Sequence, residues 1–169
     1  MTETINLAEK FANSEKFKKL FHDGMALVEE SATYLDGSGR EAAKSLPRTV
    51  AMLYGAESMR LTTRLMQLAS WLLLQRAANE GEMSRDQILE EKKKIKLGES
   101  GHQSENAAWH ELPQDFIDLV SRSLTLQNRV MSLDAELYGE TGAQDASNSA
   151  NPVGQQIELL STALGAVKR

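Results

Sequence analysis

Apolar residues recur at helical spacing in three long stretches of the chain. In residues 14–36 they fall at Phe17, Leu20, Phe21, Gly24, Val28, Ala32 and Leu35, the i, i+3, i+4, i+7 series of one helical face. Ser14 is a capping residue type, and Glu15 stands in the first turn, where the helix dipole favours a carboxylate. Asp36-Gly37-Ser38-Gly39 is a glycine stop followed by a loop.

A second helix is expected from Ser45-Leu46-Pro47, with Ser45 as cap and Pro47 in the first turn, and no proline interrupts it up to Asn79. One apolar seam runs through Val50, Leu53, Tyr54, Glu57, Leu61, Arg64, Leu65, Leu68, Trp71 and Leu72. A second stripe, Met52, Met59, Met66 and Leu73, repeats every seven residues on roughly the opposite side, at about 100° per residue. A helix apolar on two opposite faces is either central to a bundle or lends one face to a partner.

Residues 80–112 read as a connector. A short helix fits 82–94, capped by Ser84 and carrying Ile88 and Leu89, with a polar loop over 98–106. Leu112-Pro113 opens the third long helix, with Phe116, Leu119, Val120, Ser123, Leu126, Val130, Leu133 and Leu137 on one face and an end at Tyr138-Gly139. Residues 139–154 have the composition of a linker, and an apolar cluster follows: Ile157, Leu159, Leu160, Leu164 and Val167, then Lys168. The expected plan is all-α: a lead-in (1–13), a three-helix bundle with a short extra helix in its second connector (14–138), and a flexible C-terminal tail (139–169). The tail's linker and apolar end would act as a tethered peptide.

Composition narrows the class. Hydrophobic residues make up 41% and charged residues 25% of the 169, with a net charge of −5, which suits a globular protein and not a basic nucleic-acid binder. The absence of cysteine removes disulfides, thiolate metal sites and cysteine nucleophiles. The start, Met1 to Asn6, lacks a charged-then-apolar signal pattern, and the longest apolar run, Trp71-Leu72-Leu73-Leu74, is far too short to span a bilayer. The expected setting is cytoplasmic.

Candidate chemistry is sparse. A Glu-x-x-His pair for a di-iron bundle is missing, and neither His102 nor His110 has carboxylates at ligand spacing, so no metal or cofactor is expected. Gly37-Ser38-Gly39-Arg40 lacks the phosphate-loop pattern. Glu57 on the apolar seam, with Arg60 and Arg64 one and two turns on, reads as a structural ion pair rather than a general base. Glu90-Glu91-Lys92-Lys93-Lys94 reads as a solvated face. His22, one position off the apolar face, is the candidate for the alternative function, a histidine phosphotransfer domain. Asp23 beside it would oppose an incoming phosphoryl group.

The surfaces that remain suit macromolecules: the methionine stripe, since methionine is adaptable in recognition, and the apolar tail. The stretch Glu57-Ser58-Met59-Arg60-Leu61-Thr62-Thr63-Arg64-Leu65-Met66-Gln67-Leu68-Ala69-Ser70-Trp71-Leu72-Leu73 resembles the alphaproteobacterial "regulator of CtrA degradation" (RcdA) family. So do Asn6-Leu7-Ala8-Glu9-Lys10-Phe11, Gly24-Met25-Ala26-Leu27-Val28-Glu29-Glu30 and Tyr34-Leu35-Asp36-Gly37, the likeness covering about residues 2–138. The resemblance implies a dimeric three-helix bundle with a flexible tail and no enzyme activity of its own. It further implies an adaptor for the ClpXP protease, acting with a CpdR-like response regulator. Such an adaptor binds cargo such as transcription factors, or a PopA-like second adaptor, for cell-cycle-timed degradation at a cell pole. No nucleic-acid or membrane partner is implied.

Overall fold

The computed structural model describes residues 14–99 and 105–149, with side chains through Gly139. Residues 1–13, 100–104 and 150–169 lie outside it, and with them the expected lead-in and the tail residues Ile157, Leu159, Leu160, Leu164, Val167 and Lys168. The described residues form an all-α bundle. Its helices are α1 (Glu15–Asp36), α2 (Ser38–Lys44), α3 (Arg48–Asn79), α4 (Arg85–Lys92) and α5 (Gln114–Ser149), with a 3₁₀ turn at Trp109–Glu111 before α5. Contacts divide the chain into one unit through Leu133 and a second from Asp134.

The core of the first unit follows the helical spacing. Helix α1 buries Phe17, Leu20, Gly24 and Leu27; α3 buries Val50, Leu53, Leu61, Leu65, Leu68, Trp71 and Leu72; α5 buries Phe116, Leu119, Val120, Leu126, Val130 and Leu133. Gly24 marks the close approach of the three long helices. A Cβ there would lie 2.6 Å from Leu72 Cδ1 and 3.5 Å from Leu126 Cδ2. At one end of the bundle, the Tyr54 and Phe116 rings meet at 4.7 Å, and Tyr34 lies against Phe116. The short α2 closes over this cluster through Gly39, where a Cβ would come within 2.7 Å of Tyr54 Oη.

The connector between α3 and α5 is held by local devices. Ser84 caps α4 in a reciprocal box: its hydroxyl accepts from the Gln87 N–H, and Gln87 Oε1 accepts from the Ser84 N–H at 2.9 Å. Ile88 is buried, as are Trp109 and Leu112 after it. Lys96 N–H donates to Gln67 Oε1 on α3 at 3.2 Å, and Gly98, at φ +86°, lies beside Met131 of α5.

Four sequence expectations are corrected. Gly37 does stop α1, its N–H donating to Thr33 O and Tyr34 O, but Ser38-Gly39 begins α2 rather than a loop. Ala42, Ala43, Glu41 and Lys44 are good helix formers, and Gly39 supplies the close contact. Ser45 therefore ends α2 instead of capping α3, and Pro47, extended at ψ 153°, holds the cap position of α3; its carbonyl accepts from the Ala51 N–H at 2.8 Å. Helix α5 does not end at Tyr138-Gly139 but continues to Ser149, because no proline stands before Pro152 and Gly139 and Gly142 cost only about 1 kcal/mol each. Ala32, expected on the apolar face of α1, is exposed; the face runs through Leu27 and Ser31 instead.

Candidate protein-interaction face on helix α3

Helix α3 is the one described helix whose two sides are both largely apolar, and the two sides meet different fates. On the inner side, Glu57 and Arg64 are each about 1% exposed among leucines. Arg60 Nη1 donates to Glu57 Oε1, and Arg64 Nη1 donates to Ser123 Oγ on α5 at 2.9 Å. Ser123 in turn donates to Val120 O at 2.7 Å. Burial pushes the Arg64 guanidinium below its usual range, opposed by the Glu57 charge and reinforced by Arg60. The cluster ties α3 to α5 and is walled off from solvent apart from part of Arg60. It is an internal ion pair with a cross-helix anchor, as the seam position of Glu57 indicated; Ser123 as the anchor was not legible from spacing.

On the outer side, the heptad stripe stands in solvent. Met52, Met59, Met66 and Leu73 are 68%, 73%, 65% and 50% exposed. Neither α1 nor α5 covers them, so each methionine forgoes the roughly 1.5–3 kcal/mol that full burial gives. Between the methionines lie small exposed residues: Gly55 and Ala56, Thr62 and Thr63, then Ser70 beside the half-buried Ala69. Two of the hydroxyls here are turned back onto the helix. Thr62 Oγ1 donates to Ser58 O at 2.9 Å and Ser70 Oγ to Met66 O at 2.8 Å, the back-bonding that lets a hydroxyl residue present its carbon side. From Thr49 to Leu73 no exposed residue of α3 is charged; Arg48 and Arg76 stand just beyond. An uncharged strip of this kind is unusual on a chain one-quarter charged.

Other parts of the surface carry charge. A groove between α1 and α5, about 750 Å³, is lined by Glu29, Glu30, Asp115, Asp118, Tyr34 and Arg122. Arg122 spans it, donating from Nη1 and Nη2 to the two oxygens of Glu30 at 2.8 Å each. Those hydrogen bonds hold the Glu30 carboxyl below its ordinary range. His22 is exposed on α1 beside Asp23, which a 2.7 Å hydrogen bond from Lys19 keeps below its usual value. The fixed negative charge next to His22 does not favour phosphoryl transfer. Among the described residues no three His, Asp or Glu side chains gather at metal-binding distances, and no helix is long and apolar enough to cross a membrane.

No curated protein matches the chain. A solved structure, the crystal structure of RcdA from Caulobacter crescentus CB15, is similar with a TM-score of 0.62 and 45% identity, covering 77% of this chain and 97% of that one. The family model described as "Protein of unknown function (DUF1465)" matches residues 8–164. That match spans the whole bundle, and with the 45% identity to RcdA it places the chain in the DUF1465 family, the family of the regulator of CtrA degradation.

Proposed function

We propose that this chain is a non-enzymatic adaptor that binds cargo proteins, or a further adaptor, and delivers them to the ClpXP protease for cell-cycle-regulated degradation. The observation that carries the reading is the uncharged methionine face of α3. It is a large unspent recognition surface on a bundle whose buried charges are already paired with one another, and it belongs to a relative of RcdA. Two copies of the chain pair, and the complex is recruited through a CpdR-like response regulator to ClpX/ClpP at a cell pole in the cytoplasm. Cargo such as a transcription factor, or a PopA-like adaptor, is held by the folded helices. The energy for unfolding and cleavage comes from the protease's ATP, so the adaptor works by raising local concentration. The C-terminal residues Ile157, Leu159, Leu160, Leu164, Val167 and Lys168 form the second contact, with the protease.

The test is a reconstituted degradation reaction containing ClpXP, the CpdR-like regulator and CtrA of the same organism. Adding this chain is expected to accelerate loss of CtrA several-fold. An unchanged rate with all components active would refute the adaptor role. Removal of residues 150–169 is expected to leave the melting temperature nearly unchanged while delivery falls; full delivery by the shortened chain would remove the tail from the mechanism.

A further inference from the structure

We propose that residues 7–12, which precede α1 and lie outside the described residues, pack as a short amphipathic helix into the pocket at the start of α1, with Phe11 as the anchor. The inference goes beyond the adaptor reading and does not depend on it. The pocket, about 360 Å³, lies between the first turns of α1 and the end of α3, and its lining includes Ser14, Phe17, Phe21, Arg76 and Glu80. A cavity of about 150 Å³ takes a benzene ring, so there is room for an aromatic side chain and part of the helix that carries it. Phe17 is buried and Phe21 half-buried, with ring centroids 6.4 Å apart. Arg76 lies over the Phe21 ring at 5.2 Å, and its Nε donates to Glu80 Oε1 at 3.0 Å. The pocket is therefore an aromatic surface with its nearest cation already paired, which suits an apolar occupant.

Three features select the preceding segment as that occupant. Ser14 itself lines the pocket, so the segment is delivered to it, and the extended backbone of Ser14 (φ −88°, ψ 166°) breaks the line of α1 there. Asn6 followed three residues later by Glu9 is a helix-start signature. At about 100° per residue, Leu7, Ala8, Phe11 and Ala12 then share an arc of roughly 140°, while Glu9, Lys10 and Asn13 share the opposite side. A helix this short is marginal in water and gains order only by burying its apolar face. The short tether gives the segment an effective concentration on the order of millimolar at the pocket, so a weak contact suffices.

The chain has no cysteine, so paired cysteines in the full-length protein report the placement cleanly under mild oxidation. Glu80→Cys, at the pocket, is combined either with Ala8→Cys on the apolar face or with Lys10→Cys on the polar face. A segment free in solvent would link through Lys10→Cys at least as fast, because its tether to Ser14 is the shorter. Packing into the pocket reverses that order: the Ala8→Cys pair is expected to close at least about five-fold faster, and within one chain on a denaturing gel. Equal rates, or a faster Lys10→Cys pair, would overturn the proposal. A link formed mainly between two chains would overturn it too, by giving the pocket to the segment of a second copy. In the cysteine-free chain, Phe11→Ser is expected to lower the melting temperature by about 2–4 °C, and Lys10→Ser by less than about 1 °C. An unchanged melting temperature for Phe11→Ser would overturn Phe11 as the anchor. None of these failures touches the adaptor role, which is read from CtrA delivery.

Discussion

The two sides of α3 are built from similar apolar material and do opposite work. The inner side carries Val50, Leu53, Leu61, Leu65, Leu68 and Leu72, all at or below 5% exposure, and even encloses Glu57 and Arg64. The outer side carries three methionines at 65% exposure or more. The inner side tolerates charge because Arg60 and Ser123 satisfy it; the outer side excludes charge although none of the described residues covers it. A surface that needed only solubility would be the first place to find lysine and glutamate, as the C-terminal end of α4 shows with the pair of Glu90 and the following Lys93, at 70% and 72% exposed. The contrast teaches that burial among the described residues does not account for the sequence of α3. A contact between molecules is the explanation we propose for the outward pattern.

The comparison breaks most severely at the inner charges. Glu57→Ala leaves Arg64 buried without its countercharge, and the expected loss is about 3–5 kcal/mol, read from denaturant unfolding. Delivery should fall only in proportion to the folded fraction. A stable Glu57→Ala protein without activity would move the cluster from support to function. Next in size is Gly24→Ala, where the added Cβ meets Leu72 Cδ1 at 2.6 Å. Overpacking of a filled core costs about 1–3 kcal/mol, partly offset by alanine's helix preference of about 1 kcal/mol. The midpoint of unfolding is expected to fall.

The outer side should respond in the reverse sense. Met59→Glu combined with Met66→Glu is expected to change intrinsic stability by no more than about 0.5 kcal/mol per site, while the dimer dissociates. Melting temperature in the wild type should rise with protein concentration, since association binds only the folded state; in the double variant it should not. If the double variant unfolds outright, the stripe is core after all.

The smallest effect is expected at the Glu30–Arg122 bridge, whose side chains are each about half exposed. The Glu30 carboxyl is held below its ordinary 4.5 by the hydrogen bonds from Arg122. Its contribution is therefore present at neutral pH and is lost as pH falls through the lowered folded value, in the window below about 4.5. Glu30→Gln should cost under about 1 kcal/mol near pH 7 and make acid unfolding begin less steeply.

Much of this was legible in the chain. The three long helices, the stop at Gly37, the Ser84 cap and the second apolar stripe all follow from spacing and end signals, because a buried face and a capped end impose local patterns. The structural reading of Glu57 followed from arginines placed one and two turns away. What was missed depends on contacts distant in sequence. Helix α2 is seven residues, too short for its own period, and Gly39 within it signals a loop until Tyr54 is seen pressed against it. Trp109 looked like connector because the elements that bury it are far away in the chain. Likewise Ser123, one small polar residue on an apolar face, gains meaning only when Arg64 reaches it.

The central claim is that the outward methionine face of α3 carries the protein's function. Its most direct test is ClpXP-dependent degradation of CtrA, with the CpdR-like regulator present, driven by the Met59→Glu, Met66→Glu chain at matched folded concentration. The account predicts degradation at the rate seen without adaptor, alongside wild-type helicity. Degradation at the wild-type rate would contradict it.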